Sequence, residues 1–429
     1  MSSPASPAHS TTGTRPALRW SLWALASVIS FHTLLAYGLP PAVPLGGSLV
    51  LAVLYWWIGP GNGLLVALSL VLGTLFYGLA LTVTGLGDAI YARPYQMLTD
   101  YDYLNDHKAF KKNARAQMLV RQGDLQSMTL EDLSEPHEAL CQTDSDGFRN
   151  DRDYHGQRWV LVGDSFIAGV NNTQGETLSA QLLRDHGIDT YNLAHPGDLG
   201  DYVKYINGFR RQHGKQFKVL LFLFEGNDFP AGESVDLDHD ELDRTLHGGY
   251  KRYLRMFSGT NVYRYTSSVY KRARNRRKIA KAEFLQLAEL GGRRIAFYRP
   301  YVAVTESASY TGPEGFERAL QSIGANLGEI FFIPTKYRVY HQRLAAPAAS
   351  LPNAQWDYLA GLCERNHWRC SDLTPALTAA SLRLLAEGRL TWWRDDTHWN
   401  PAGIAVAAQV VARELAGSAG AGDAPASAQ

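Results

Sequence analysis

The feature that most constrains this chain is a long stretch without charge near its start. From Leu18 to about Gly87 the only Lys, Arg, Asp or Glu is Arg19. A water-soluble core has no need of so long an uncharged run, whereas the roughly 30 Å hydrocarbon core of a bilayer excludes ionised side chains. Proline and glycine divide the stretch into three predicted spans, about Leu18–Leu39, Leu45–Ile58 and Leu64–Leu86. Trp20, Trp23, Tyr55, Trp56, Trp57 and Tyr91 fall near their ends, where amphipathic rings settle between hydrocarbon and water. The region is too long for a cleavable signal peptide. Arg15 and Arg19 lie at the N-terminal edge of the first span and no positive charge lies between spans. The positive-inside rule then leaves the N-terminus in the cytoplasm, and three spans carry residue 90 onward to the outside. Two spans would leave it in the cytoplasm.

Composition marks further segments. Residues 1–17 are rich in Ser, Thr, Pro and Ala and read as disordered, as does the Gly/Ala/Ser-rich tail, residues 417–429. Residues 91–143 read as a connector, helical in part over Tyr95–Arg121. A globular domain is expected over 144–416, from Asp144-Ser145-Asp146-Gly147-Phe148-Arg149 onward. Within it, strands are predicted at Arg158–Val162, Thr190–Ala194, Lys218–Phe224, Glu329–Ile333 and near Trp368–Leu373. Helices are predicted at Thr177–His186, Leu199–His213, Gln355–Asn366 and Ile404–Leu415. Apolar strands alternating with helices imply an α/β domain whose parallel sheet is covered on both faces. Residues from about 230 to 325 break the rhythm. They read as an insertion, helical in part, suited to a lid or substrate wall.

The formal net charge of +1 gives no reason to expect a nucleic-acid partner. One basic run stands out, Lys271–Lys281, with Arg272, Arg274, Arg276, Arg277 and Lys278 inside it. It reads as a solvated helix face or loop, with contact to anionic lipid or an acidic glycan as the alternative. Cys141, Cys363 and Cys370 form no CxxC pair, so no zinc site and no cofactor is indicated. A Cys363–Cys370 bridge and a pair of buried thiols are both open.

The chemistry-bearing residues follow successive predicted strands. Gly163-Asp164-Ser165-Phe166 comes directly after a strand, where a tight turn exposes a hydroxyl and aims backbone N–H groups into the same space. Asn192-Leu193-Ala194-His195-Pro196-Gly197 ends the next strand. Its glycine can offer an unobstructed N–H, while His195 suits a structural or substrate-contacting role. Gly226-Asn227-Asp228 follows the most apolar strand, and an Asn amide can donate to a developing oxyanion. Asp395-Asp396-Thr397-His398-Trp399-Asn400 leads into the last helix. A catalytic histidine needs a carboxylate to hold its tautomer, and two stand two and three residues before it. Asp-x-His also occurs in metal sites, but no second His/Asp cluster accompanies it.

This constellation resembles the GDSL/SGNH hydrolase superfamily over about residues 144–416, with Ser165, Gly197, Asn227 and His398 in the four signature positions. The Asp-Thr-His-Trp string resembles the membrane-anchored extracytoplasmic branch related to alginate O-acetyltransferases. So does Ile333-Pro334-Thr335-Lys336-Tyr337-Arg338-Val339-Tyr340, in which Lys336 and Arg338 are candidates for contact with an anionic substrate. The resemblance implies a three-layer α/β/α, flavodoxin-like SGNH domain with a parallel sheet, here preceded by the N-terminal transmembrane helical region. It implies that Ser165 attacks an ester carbonyl, that His398 takes its proton, and that Ser165, Gly197 and Asn227 form the oxyanion hole. The acid is Asp396 in that branch and Asp395 in many other members. The expected function is an O-acetyltransferase or acetylesterase acting on acyl esters of an extracytoplasmic glycan. It would sit in a bacterial inner membrane facing the periplasm or exterior, and a transferase would need a membrane-bound acyl-donor partner. The alternatives are a lipid or other carboxylester hydrolase, and an inactive glycan-binding module.

Overall fold

The computed structural model describes residues 93–102, 107–229, 235, 261–344 and 350–422. The predicted spans and the disordered start lie outside the described residues, as does most of 230–260. Among the described residues no helix is long and apolar enough to cross a membrane. The chain divides into two compact units, residues 1–90 with 242–272 and residues 91–241 with 273–429. Of the first, only the stretch from Asn261 to Arg272 is described, the opening of helix α4 below.

The second unit begins with a short helix, α1 (Pro94–Leu98), and two antiparallel hairpins. These pair β1 (Thr99–Asp102) with β2 (His107–Phe110), and β3 (Arg115–Val120) with β4 (His137–Gln142). The helix expected over Tyr95–Arg121 is therefore corrected. Ala116 and Val120 are buried and Met118 partly so, while Arg115, Gln117 and Leu119 are exposed; that is the period of two of a strand. Leu98, Phe110, Ala116 and Cys141 close a small core of their own.

The main domain then alternates strands and helices: β5 (Trp159–Val162), α2 (Leu178–His186), β6 (Thr190–Asn192), α3 (Leu199–His213) and β7 (Lys218–Phe224). After α4 (Asn261–Ala280) come a hairpin of β8 (Leu285–Leu290) with β9 (Arg293–Tyr298), then α5 (Arg299–Thr305) and α6 (Phe316–Ile323). The chain ends with β10 (Leu327–Ile333), α7 (Lys336–Tyr340), α8 (Ala354–Asn366), β11 (Cys370–Asp372), α9 (Thr374–Ala386) and α10 (Pro401–Gly422). Thr177 and Asp198 cap α2 and α3 by accepting from Ala180 and Asp201 N–H, and Gly187 ends α2 in the left-handed conformation.

Strands β11, β10, β7, β5 and β6 form one parallel sheet in that order. Alternate residues of β7 point to opposite faces. Leu220, Phe222 and Phe224 join a core with Leu182 of α2, Leu377 of α9 and Val411 of α10. Val219, Leu221 and Leu223 join another with Ile206 of α3, Leu320 of α6 and Leu359 of α8. A strand buried on both sides is apolar at every position, which is why Lys218–Phe224 reads as a continuous run.

Three expectations change at the edges. Helix α6 belongs to a layer of the main domain, so the segment expected as an insertion to about 325 ends before Phe316. Helix α10 continues to Gly422, into the expected tail, and residues 423–429 lie outside the described residues. The basic run falls mainly on α4, with Lys271, Arg274, Arg276, Arg277, Lys278 and Lys281 all exposed or nearly so, as a solvated helix face requires. Cys363 of α8 and Cys370 of β11 are joined by a disulfide, with Cα atoms 6.3 Å apart, and Cys141 is a buried free thiol.

Candidate active site

Because β5 lies between β6 and β7, the loops at their carboxyl ends are neighbours. They carry Gly197, Ser165 and Asn227, with Ser165 in the middle. The Ser165 turn is built locally. Asp164 Oδ1 accepts from Phe166 N–H at 2.8 Å, Ala168 N–H donates to Asp164 O, and Val170 N–H donates to Ser165 O. A Cβ at Gly163 would stand 2.8 Å from Ile167 Cγ1 and 3.1 Å from Phe222 O, so glycine is required for close approach. Below the turn the buried Arg149 guanidinium donates to the carbonyls of Ala168, Gly169 and Asn172.

His398 arrives from the hairpin between α9 and α10, where Trp392 and Trp399 pair and Trp393 N–H donates to His398 O. Its Nε2 lies 2.7 Å from Ser165 Oγ and its Nδ1 lies 2.6 Å from Asp396 Oδ1. A carboxylate only accepts, so Nδ1 carries the ring proton and Nε2 is left to accept the Ser165 hydroxyl proton. His398 N–H also donates to Asp396 Oδ1 at 3.0 Å, fixing that carboxylate from the backbone. The Phe166 ring packs 4.8 Å from the imidazole and limits its rotation.

Asp396 is fully buried, and burial alone would raise its pKa. The Arg93 guanidinium and His398 outweigh burial and hold the carboxyl well below the usual range. Asp395 is corrected as a triad acid. Its Oδ2 accepts from Gly123 N–H at 2.7 Å, whereas the imidazole Nδ1 bonds Asp396, and burial pushes the Asp395 carboxyl up.

Asn227 is solvent-exposed, and its side chain hydrogen-bonds the Asp164 carboxylate, whose pKa is raised by burial. Gly197 is partly exposed at the start of α3, before the capping Asp198. His195 is buried, its ring 4.3 Å from Phe110 and its Nδ1 3.1 Å from Pro196 O, a packing role rather than a reacting one. Lys336 and Arg338 are corrected as substrate contacts, because both are buried and satisfied within the protein. Lys336 Nζ donates to the carbonyls of Trp393, Arg394 and Asp396 at 2.8–3.1 Å, which holds the hairpin that carries His398; burial pushes its pKa down to about 8. Arg338 pairs with the buried Glu225, whose Oε2 also accepts from Thr335 N–H.

Three residues of the site lie outside the motifs. Arg93 Nη2 hydrogen-bonds Asp396 Oδ2 and lies 3.7 Å from Asp124 Oδ2. Asp124 N–H donates to Asp396 Oδ2 at 3.1 Å, and the Asp124 carboxylate accepts from Thr397 N and Oγ1. Gly123 supports Asp395, and a Cβ there would fall 2.4 Å from Asp395 O. Asp124, Asp396 and His398 bring three ligand-type atoms within 4.8 Å of one another. The Arg93 guanidinium stands where a cation would, beside both carboxylates.

Residues 305–429 match the family model described as the SGNH hydrolase-like domain of the acetyltransferase AlgX. In its C-terminal part the chain is similar to the SGNH hydrolase-like domain of AlgX-type acetyltransferases. No curated protein matches the chain at a significant level. The matched residues include Lys336, Asp396 and His398, while Ser165, Gly197, Asn227 and the Arg93–Asp124 cluster lie upstream of them. An SGNH hydrolase-like domain of this type points to ester hydrolysis or acyl transfer in general, the chemistry a Ser-His-Asp relay performs.

Proposed function

We propose that the chain is a membrane-anchored serine enzyme that acts on O-acyl esters, acetyl esters above all, of an extracytoplasmic glycan. The single observation that carries the reading is the continuous relay from Ser165 Oγ to His398 Nε2 at 2.7 Å and from Nδ1 to Asp396 at 2.6 Å. His398 Nε2 takes the hydroxyl proton as Ser165 Oγ bonds to the ester carbonyl carbon. The oxyanion forms among the N–H groups of Ser165 and Gly197 and the Asn227 amide. His398 then returns the proton to the departing alcohol, leaving an acyl-serine. Water, or a sugar hydroxyl, attacks that ester with the same histidine as base.

The uncharged stretch from Trp20 to Gly87 supports anchoring. The Cys363–Cys370 disulfide supports an oxidising compartment outside the cytoplasm. As a transferase the chain would draw acyl groups from a separate membrane-bound donor protein. Ser165→Ala in the full chain should abolish turnover of an activated acetyl ester while the thermal melt is retained; wild-type turnover in that variant would overturn the proposal. Incubation with a soluble acetyl donor and glycan oligomers then separates the outcomes: acetylated oligomers support transfer, and acetate alone supports hydrolysis.

A further inference from the structure

We infer that Arg93 is a positioning residue of the active site, which keeps Asp396 charged and aimed at His398, so that the segment before the sheet domain is a working part of the catalytic machinery. The inference rests on the proposed acyl-ester chemistry. The two oxygens of Asp396 meet different partners. Oδ1 faces His398 Nδ1 and the His398 N–H. Oδ2 is covered from the other side by the Arg93 guanidinium and by Asp124 N–H. Neither side chain has solvent to stabilise its charge: Asp396 is 0% exposed and Arg93 6%.

A carboxylate in such a place takes up a proton unless a cation stands beside it. A neutral Asp396 would still fill the space, but it would no longer stabilise the imidazolium that forms when Ser165 is deprotonated. Arg93 supplies the cation from a distance of 303 residues in sequence. It is itself fixed at the start of α1, where its N–H donates to Gln96 Oε1, its carbonyl accepts from Gln96 N–H, and Pro94 follows. The Asp124 carboxylate lies 3.7 Å from the same guanidinium nitrogen and accepts from Thr397 of the hairpin. A pair that served folding alone would need only complementary packing. Here the partner of the arginine is the carboxylate that orients the base.

The test is the pH dependence of kcat/KM for an activated acetyl ester, in the full chain, for Arg93→Met, Arg93→Gln and Arg93→Lys. Removing a positive charge from beside the Asp396–His398 pair favours its protonated form, so the acid limb must move to higher pH. An opposite charge at hydrogen-bonding distance corresponds to about one to three pH units. The other charged groups around the pair are Asp124, Asp164, Asp395 and Lys336, and each variant leaves them in place. We expect Arg93→Met and Arg93→Gln to move the limb upward and lower kcat at least ~10-fold with KM nearly unchanged, as loss of an interaction made in the transition state requires. Arg93→Lys should hold the limb near its wild-type position. Arg93→Gln keeps a donor to Asp396 and stands in if the methionine variant does not fold. A wild-type acid limb in the neutral variants, or the same shift in all three, would overturn the inference. Ser165→Ala run alongside separates the two failures: if it stays active the acyl-ester reading falls, and if it is dead while the neutral variants keep the wild-type limb only the role of Arg93 falls.

Discussion

The turn that carries Ser165 and the hairpin that carries Asp396 and His398 meet at a 2.7 Å hydrogen bond, yet they are held in opposite ways. The serine turn is built largely by its own neighbours. Asp164 and Phe166 bond each other, Ala168 and Val170 close back on Asp164 and Ser165, and Arg149 gathers the carbonyls that follow. The hairpin is held mostly from outside. Arg93 and Asp124 grip Asp396, Gly123 grips Asp395, and Lys336 collects three of the hairpin's carbonyls. A nucleophile needs one rigid turn. A base and its acid need a fixed charge and a fixed direction, and those require groups brought from elsewhere.

That contrast can be broken most severely at the two aspartates. Asp396→Asn should lower kcat by about 10⁴-fold, because an amide in place of the carboxylate favours the wrong tautomer of His398. Asp395→Asn, which retains an oxygen for Gly123 N–H, should cost less than ~10-fold. Steady-state kinetics on one acetyl ester compares them, and equal losses would reinstate Asp395 as the acid. Next in size is Asn227→Ala, expected to lower kcat by roughly 10²–10³ with little change in stability, the cost of one oxyanion donor.

Gly123→Ala sharpens the contrast from the supporting side. Its Cβ would fall 2.4 Å from Asp395 O and 2.7 Å from Asp396 Cβ, so the hairpin must move. The expected result is a destabilisation of about 1–3 kcal/mol by denaturant titration, with kcat falling alongside it. Gly175, where a Cβ would meet nothing within 4 Å, is the control position for the same change.

The smallest effect is read in stability against pH. Lys336 is pushed down to about 8 by burial, whereas the unfolded chain keeps the ordinary ammonium value. Between those values the unfolded state holds a proton that the native state has released, so this group makes the native state gain stability as pH rises through the window. Lys336→Met should remove that gain and leave three carbonyls without their donor, a loss of roughly 1–3 kcal/mol near pH 7. Urea titrations of both proteins at pH 7 and pH 9.5 measure it, and a parallel pH dependence in the two would exclude Lys336 as its source.

Much of the domain is legible in the order of its residues. Lys218–Phe224 and Leu199–His213 have the bounds that their apolar patterns imply. Each is read from local periodicity, and burial of both faces of the sheet enforces it. Helix α9, Thr374–Ala386, is not among the expected elements: it is rich in alanine and leucine on several sides, and periodicity has little contrast to work with. The segment over residues 91–143 reads as a polar connector because short strands joined by long turns leave a weak pattern, and its hairpins gain stability only by packing on the domain.

For the site, the sequence by itself determined which groups stand at the ends of strands: Ser165, Gly197 and Asn227 follow apolar runs, and that placement depends only on neighbouring residues. It also determined that His398 has two aspartates beside it. Only the tertiary structure decided between them, because the choice turns on which carboxylate meets Arg93 and which meets Gly123, contacts that span 303 and 272 residues. It likewise turned Lys336 and Arg338 from candidate substrate contacts into buried supports. A cation's sign can be read from its letter, but its partner is set by where the chain folds back.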